Sequence, residues 1–323
     1  MKLSILDLAH VPVGVDIPQA LRNTLDYARH VDALGYQRLW YAEHHNMPGI
    51  ASAATAIVIG QAAAVTRQIR VGAGGIMLPN HSPLVIAEQF GTLDSLFPGR
   101  IDLGLGRAPG TDGLTWRALR REPGASDRFP EDVLELQALL GPLQPGQRIS
   151  AVPGTDTNVP LWILGSSLFG SQLAAKLGLP YAFASHFAPA ALHDAIRMYR
   201  DRFQPSKQLQ ASYAMAGVNA IVADTDEEAR HLFTSLQQVV IGLVTGNRGR
   251  LAPPAPIEPL PPHVQQQVRA FLACSFVGAP ATVRAGLEQF VAETGVDEVI
   301  VASAIHDHAA RLRSAELLAQ ACM

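Results

Sequence analysis

The chain has little that could support disulfides or a thiolate metal centre, because its 323 residues include only two cysteines, Cys274 and Cys322. Two thiols are too few for a disulfide framework or a four-thiolate zinc site. Charge is also scarce: charged residues make up 16% of the chain, the net charge is −3, and lysine or arginine runs are missing. We therefore expect no nucleic acid and no membrane surface as partners, and a small, largely apolar substrate.

Long apolar segments are missing as well. A membrane-spanning helix needs roughly 18 uncharged apolar residues in a row, and the sequence contains no such run. The first residues, Met-Lys-Leu-Ser-Ile-Leu-Asp-Leu, include an acid and lack a signal-peptide cleavage site, which predicts a cytoplasmic protein. Because 48% of the residues are hydrophobic, the chain can bury one large core, and we expect one domain over residues 1–323.

A repeated junction of helix, glycine and apolar strand indicates βα units and a parallel sheet. It occurs around Gly35, Gly178 and Gly295. The candidate strands are residues 3–9, 36–42, 69–77, 100–106, 160–165, 180–185, 212–222 and 297–303. Eight strands with intervening helices predict an α/β protein with a (β/α)₈ TIM barrel. An open doubly wound sheet is disfavoured, because its Gly-x-Gly-x-x-Gly pattern does not follow the first strand.

Two long segments, 107–126 and 245–262, interrupt the repeat and are rich in glycine and proline. Neither is expected to form regular helix, and loops of this length at the C-terminal face of a barrel are typical of lids over an active site. The same face should carry the residues that follow the strands. Histidines stand at several of these strand ends: His10, His44, His186 and His306.

The segment Tyr41-Ala-Glu-His-His-Asn-Met-Pro48 crowds titratable groups onto one strand end. A histidine in such a place can act as a general base near neutral pH. His44 and His45 are adjacent and should point to opposite sides of the strand, so they are poorly placed to share a metal. A purely structural role for either histidine stays open on this pattern alone.

Two glycine-rich or serine-rich segments could contact a cofactor. Residues 164–171, Leu-Gly-Ser-Ser-Leu-Phe-Gly-Ser, lie between a strand and a helix, where backbone N–H groups and hydroxyls favour a phosphate. A simple serine N-cap explains them equally well. Gly72-Ala-Gly-Gly75 lies inside a strand, where glycines mark either close approach of a ligand or a bulge that shapes the barrel. A third pattern, His306 and His308 around Asp307, would suit a metal-dependent hydrolase, but solvated loop residues are the commoner explanation.

The chain resembles the bacterial-luciferase-like family of flavin-dependent monooxygenases from Ile5 to about Leu318. The resemblance is carried by Glu43-His-His45, by Val71 to Pro79, by Glu88-Gln-Phe, by Gly99 to Asp112 and by Asp307 to Arg311. It implies a (β/α)₈ barrel that binds reduced FMN, forms a C4a-peroxyflavin with O₂ as co-substrate, receives its reduced flavin from a separate reductase and pairs as a homodimer.

By the same resemblance, His44 matches the proposed catalytic base, and Gly74-Gly75 falls where the family commonly has a non-proline cis peptide under the flavin ring. The matches to the strand-end segment beside the flavin are Gly106, Arg107 and Ala108, and those to the phosphate loop are Ser166, Ser167, Gly170 and Ser171. No metal ligand is implied. Some light-emitting members have a cysteine where Gly106 stands, so light emission is not implied either.

The resemblance leaves alternatives within and outside this chemistry. Relatives that use the deazaflavin F420 for hydride transfer share the barrel, and the family also includes a flavin-binding subunit without catalysis. The metal-dependent hydrolase remains the alternative from a different class. The identity of the organic substrate does not follow from the sequence.

Overall fold

The computed structural model describes residues 1–108, 112–122 and 124–323. Residues 109–111 and 123, which belong to the predicted 107–126 loop, lie outside the described residues. The strands are β1 (Leu3–Asp7), β2 (Arg38–Tyr41), β3 (Arg70–Met77), β4 (Ile101–Gly106), β5 (Leu161–Gly165), β6 (Tyr181–Phe183), β7 (Ala214–Val222), β8 (Ser275–Gly278) and β9 (Glu298–Ala302). The helices are α1 (Ile17–Ala33), α2 (Thr55–Val65), α3 (Pro83–Leu96), α4 (Gly113–Ala118), α5 (Phe129–Leu140), α6 (Leu168–Leu177), α7 (Leu192–Arg202), α8 (Asp226–Thr245), α9 (Pro262–Phe271), α10 (Pro280–Thr294) and α11 (His308–Cys322).

Parallel pairing closes eight of these strands into a barrel. Strands β1 to β7 pair in chain order, β7 pairs with β9, and β9 pairs with β1, while the helices lie outside. The predicted (β/α)₈ TIM barrel is confirmed. The remaining strand, β8, extends the sheet beside the second half of β7, from Asn219 to Val222, and the sequence pattern did not predict it.

The helix ends follow from local sequence. Asp16 caps α1, because its carboxylate accepts a hydrogen bond from the Gln19 N–H. The repeated glycines close the helices in left-handed conformations, with φ of +84° at Gly35, +63° at Gly178 and +65° at Gly295. Each helix therefore turns directly into the next strand, as the repeated junction predicts.

The two irregular segments differ in outcome. Residues 246–261 contain no helix or strand, as predicted, apart from an isolated bridge between Leu251 and Pro12. The 107–126 segment was wrongly expected to lack helix, because α4 occupies Gly113–Ala118. Asp112 caps α4 by accepting from the Thr115 N–H, which lets a short helix form despite the glycine.

Among the described residues, the helices lack the combination of length and apolarity needed to cross a membrane.

Alternate strand positions build two apolar layers. The outer positions pack against the helices in the main core. The inner positions form a separate interior cluster that comprises Leu6, Trp40, Ala42, Trp162, Ala182, Met215, Ile300 and Ala302. The rings of Trp40 and Trp162 meet edge to face at the centre, with 5.0 Å between their centroids.

Below the tryptophans, buried ions close the floor of the barrel. Asp102 accepts hydrogen bonds from Arg38 at 2.7 Å and from Arg70 at 2.6 Å. Glu298 accepts from Arg38 at 3.1 Å and from the Tyr213 hydroxyl at 2.7 Å. Because each buried carboxylate has a guanidinium partner, the floor avoids an unpaired buried charge.

Candidate active site

His44 faces the barrel mouth. It follows Trp40 and Ala42 of the interior cluster at two-residue spacing, so its side chain continues the inward row of β2. The ring is half-buried, and its Nδ1 is enclosed without a hydrogen-bond partner among the described residues. Burial lowers the pKa of His44, although the Ala42 backbone and the charge of Glu43 partly oppose this shift. A neutral imidazole with an unused nitrogen at this position can accept a proton.

Two more histidines share the mouth. His10 follows β1 and His186 follows β6, and burial lowers the pKa of each to about 4, with His44 contributing to both shifts. The His186 ring lies against the backbone of Gly217, and its Nδ1 is buried and unpaired within the described chain. The sequence placed both residues at strand ends but assigned neither to the site. The alternation of the strands could have indicated this, because His10 and His186 follow the inward-facing Leu6 and Ala182 at even spacing.

Glu43 points to the other side of β2 and is the centre of a polar cluster outside the mouth. Its carboxylate accepts from His45 Nε2 at 2.7 Å and from His81 Nε2 at 2.9 Å. The Met77 N–H at 2.9 Å and the Asn80 amide at 3.2 Å complete the set. Burial alone would raise the pKa of Glu43, but the hydrogen bonds from His45 and His81 hold it at about 2.

The same contacts raise the pKa of His45, through its hydrogen bond to Glu43. One carboxylate and two imidazoles, with ligand atoms within 4.8 Å of one another, form the arrangement in the described chain that could hold a metal ion. The sequence pattern offered a metal only as an alternative, at His306 and His308, and did not single out His81. The expectation that His44 and His45 point apart is met: of these two side chains, His45 bonds to Glu43 on one side of β2, and His44 lies on the other side.

The start of α6 offers a place for an anion. Ser167 is the N-cap of α6 and is exposed, yet its side chain caps none of the first N–H groups of the helix. Ser166 is half-buried beside it. The Arg107 guanidinium, at the end of β4, stacks on the Phe169 ring in the first turn of α6, 4.1 Å from the ring centroid. A cation beside a positive helix terminus is unfavourable unless an anion lies between them.

The other two residues of the predicted phosphate loop are placed differently. Gly170 is buried, and an added Cβ there would lie 3.2 Å from the Tyr181 ring. Ser171 is buried, and its hydroxyl donates to the Leu168 carbonyl at 2.8 Å. Their assignment to phosphate remains a prediction, whereas Ser166 and Ser167 stand at the helix terminus itself.

The glycines of β3 and β4 allow close backbone packing. The Gly74–Gly75 peptide bond is cis, as predicted, and the register of β3 against β4 shifts at this point, which confirms a bulge. A Cβ at Gly74 would lie 2.9 Å from Leu6 and from Trp40, and one at Gly106 would lie 2.9 Å from the Met77 sulfur. These contacts are to protein, so a role toward the flavin ring stays a prediction, as it does for the exposed Ala108.

The segment 246–261 lies over the mouth and is held at several points. The Val13 N–H donates to the Leu251 carbonyl at 2.8 Å, and Leu251 is 1% exposed. The Gln238 amide of α8 donates to the Pro253 carbonyl at 2.9 Å. The segment predicted as a lid is therefore docked onto the loop that follows β1 and onto α8.

His306 and His308 do not come together as a metal site. His306 Nε2 contacts the Val13 carbonyl at 3.0 Å, while His308 Nε2 contacts the Asp26 carboxylate at 2.9 Å. Asp307 caps α11 by accepting from the Ala310 N–H. The pattern that suggested a hydrolase is thus used for helix capping and loop attachment.

The chain was compared with known proteins. A family model described as luciferase-like monooxygenase matches residues 1–298. A "Luciferase-like monooxygenase" of Escherichia coli (strain K12) is 51% identical over 319 residues, which is 97% of this chain and 95% of that protein. The N-acetyl-S-alkylcysteine monooxygenase of Bacillus subtilis (strain 168) is 34% identical over 255 residues, covering 77% of this chain and 75% of its own length.

Solved structures share the barrel. The crystal structure of apo-MsnO8 has a TM-score of 0.89 at 35% identity, with 99% of this chain and 98% of that chain covered. Two more distant structures hold cofactors, and their identity to this chain is low enough that they show the fold alone. They are the FMN complex of the oxygenating constituent of 3,6-diketocamphane monooxygenase from Pseudomonas putida (TM-score 0.75, 16% identity, 99% and 97% covered) and an F420-dependent secondary alcohol dehydrogenase (TM-score 0.70, 15% identity, 99% and 98% covered).

The neutral histidines of the mouth predict an acid-sensitive fold. The pKa of His10 and of His186 is about 4 in the folded protein and about 6.5 in the unfolded chain, so unfolding takes up protons between these values. Above pH 6.5 both histidines are neutral in the folded and the unfolded protein, so they do not lower the free energy of unfolding. As the pH falls from 6.5 toward 4, protonation of the unfolded chain lowers it progressively. Each should lower the free energy of unfolding by about 2 kcal/mol between pH 8 and pH 5, measured by urea denaturation.

The matched control replaces both His10 and His186 with glutamine, which does not titrate. Its free energy of unfolding should depend much less on pH over this range. Glu43 does not interfere, because its pKa of about 2 places its contribution below pH 4.5. Equal slopes for the parent and the double variant would contradict the prediction.

Proposed function

Because the chain belongs to the luciferase-like monooxygenase family, we propose that it is a flavin-dependent monooxygenase that uses reduced FMN and O₂ to oxygenate a small, largely apolar organic compound. The observation that carries this proposal is the stacking of Arg107 at the uncapped N-terminus of α6, on the barrel face that also holds the neutral His44. Reduced FMN, when bound, supplies the electrons that activate O₂.

The phosphate of FMN fits the start of α6. Ser166 and Ser167 offer hydroxyls, the first turn offers free N–H groups, and Arg107 adds a positive charge. The isoalloxazine ring would then extend toward the mouth beside Gly74, Gly75, Gly106 and Ala108. Gly170 and Ser171 lie in the first turns of the same helix and complete the proposed phosphate loop.

His44 holds the position of a proton acceptor. Its imidazole is neutral because it is buried, and its free Nδ1 has no competing partner in the described chain. If the docked segment 246–261 excludes water once the reactants are bound, proton transfer between His44 and those reactants would be favoured over exchange with solvent. His10 and His186, also neutral, keep the surrounding wall uncharged.

We propose further that a separate, transiently bound flavin reductase supplies reduced FMN, as the resemblance to this family implies. The reaction would take place in the cytoplasm, as the two unpaired thiols suggest.

The activity is tested with ¹⁸O₂ and FMN kept reduced by a flavin reductase. Medium-chain aldehydes, alkanes and aromatic ketones serve as probes, and the product should gain one ¹⁸O atom by mass spectrometry. His44→Ala should keep its affinity for FMN, because the phosphate site lies at another strand end. Turnover should fall roughly 10²-fold to 10⁴-fold, the range for a lost general base.

His231→Ala, on the exposed side of α8, is the control and should turn over like the parent. Oxygenation by His44→Ala at the parent rate would exclude the assigned role. Hydride transfer with reduced F420 and no incorporation of ¹⁸O would favour the F420 alternative. FMN binding without product from any probe would indicate a non-catalytic flavin-binding subunit.

The phosphate site is tested by Ser167→Asp. The new carboxylate would face the FMN phosphate at the N-terminus of α6, and like-charge repulsion at a partly buried site is worth on the order of 1–3 kcal/mol. The Kd for FMN, measured by fluorescence quenching, should rise about tenfold to a hundredfold. Ser150→Asp, at an exposed position, should bind FMN like the parent. Unchanged affinity in Ser167→Asp would move the phosphate elsewhere.

We propose that the protein is a homodimer that pairs through α2 and α3. These neighbouring helices expose Ile57 (70%), Val85 (44%) and Leu96 (65%), and a second copy would bury them. Light scattering at micromolar concentration should give twice the chain mass. Ile57→Arg should give the monomer mass, whereas Leu143→Arg, at an exposed apolar position after α5, should leave the dimer intact. A monomeric parent would contradict this proposal.

A further inference from the structure

The Glu43 cluster joins two strand ends. The backbone N–H of Glu43 donates to the Gly75 carbonyl at 3.2 Å, so β2 and β3 are already linked at this level. The side chain adds the Met77 N–H, just beyond the bulge of β3, and the Asn80 amide in the turn that follows. Glu43 is 0% exposed, so these contacts form in a site closed to solvent.

Asn80 extends the connection to a third segment. Its side-chain oxygen accepts from the Trp116 indole N–H at 2.9 Å, and its backbone carbonyl accepts from Arg121 Nε at 2.9 Å. Trp116 and Arg121 belong to residues 112–122, which follow β4 and Arg107 along the chain. The ends of β2 and β3 and the segment after β4 therefore meet around one carboxylate.

The geometry favours hydrogen bonds over a metal at this place. Both Glu43 oxygens already accept from four groups, including an N–H of the backbone and an amide, neither of which can bind a cation. The His45 and His81 contacts, at 2.7 and 2.9 Å, have the lengths of charge-assisted hydrogen bonds. A cation would have to displace donors that the carboxylate needs in a buried site.

We propose that Glu43 is a positioning residue that holds His44 and the 112–122 segment in place for flavin binding. Glu43 and His44 are consecutive, so anchoring one fixes the backbone of the other on the opposite side of β2. Through Asn80, the same carboxylate holds the segment that follows Arg107. The link to flavin rests on the proposed function, whereas the anchoring itself does not.

The anchoring is tested by hydrogen–deuterium exchange on the flavin-free protein. Glu43→Gln removes the charge and leaves donors unpaired, so amides in 77–81 and 112–122 should exchange at least tenfold faster relative to those of β6. The control is Glu298→Gln, which removes a buried carboxylate from the floor of the same barrel. It should lower the Tm without changing the relative exchange of 112–122.

A second pair of variants separates positioning from general stability. His81→Gln keeps an N–H donor for Glu43 and should retain protection of 112–122, whereas His81→Leu should lose it, even if Glu43→Gln fails to fold. In flavin titrations, Glu43→Gln and His81→Leu should raise the Kd for FMN about tenfold or more. His81→Gln should bind FMN with the Kd of the parent protein. If the parent protein does not bind FMN but the variants still change the exchange of 112–122, the proposed function is refuted and the anchoring role of Glu43 is retained.

Three results would overturn the inference. One is unchanged local exchange in both Glu43→Gln and His81→Leu. Another is the same exchange pattern in Glu43→Gln and Glu298→Gln, which would reduce Glu43 to a general contribution to stability. The third is stoichiometric zinc in the purified protein together with loss of 112–122 protection on adding EDTA, which would make the cluster a metal site.

Discussion

The packing of Trp40 against Trp162 limits where a ligand can bind inside this barrel. The interior of an eight-stranded barrel is just wide enough to be filled by side chains, and these two indoles occupy its middle. Trp40 is fixed from below, because its indole N–H donates to Asp102 of the ionic floor at 3.2 Å. Within the barrel, as the described residues form it, a ligand would therefore have to bind above the indoles, at the carboxyl ends of the strands.

The alternation of β2 separates two tasks at that end. His44 points inward and keeps a free, neutral imidazole, while Glu43 points outward and is fully used by its donors. The two residues differ in charge because their surroundings differ: burial disfavours the charged form of His44, whereas hydrogen bonds stabilise the ionised form of Glu43. A shift of one residue in the register of β2 would exchange these environments.

The repeated helix–glycine–strand junction was enough to predict the barrel, because each junction is local. The partners of Glu43 were not predictable in the same way. His81 lies 38 residues further along the chain, and it reaches Glu43 only because a short 3₁₀ turn at Leu78–Asn80 brings it back. Ser171 shows the opposite difficulty. It was assigned to the phosphate loop, which stays a prediction, while the bond from its hydroxyl to the Leu168 carbonyl within α6 was not foreseen.

The proposed anion site and the proposed proton acceptor are electrostatically separate at this face. Arg107 is exposed, so solvent and salt screen its charge over distances beyond about 8–10 Å. His44, two strands away from β4, is held neutral chiefly by burial, which does not depend on Arg107. A phosphate bound at α6 would further neutralise Arg107 without changing the surroundings of His44. A change in the affinity of the proposed site for an anion would therefore leave the pKa of His44 unchanged.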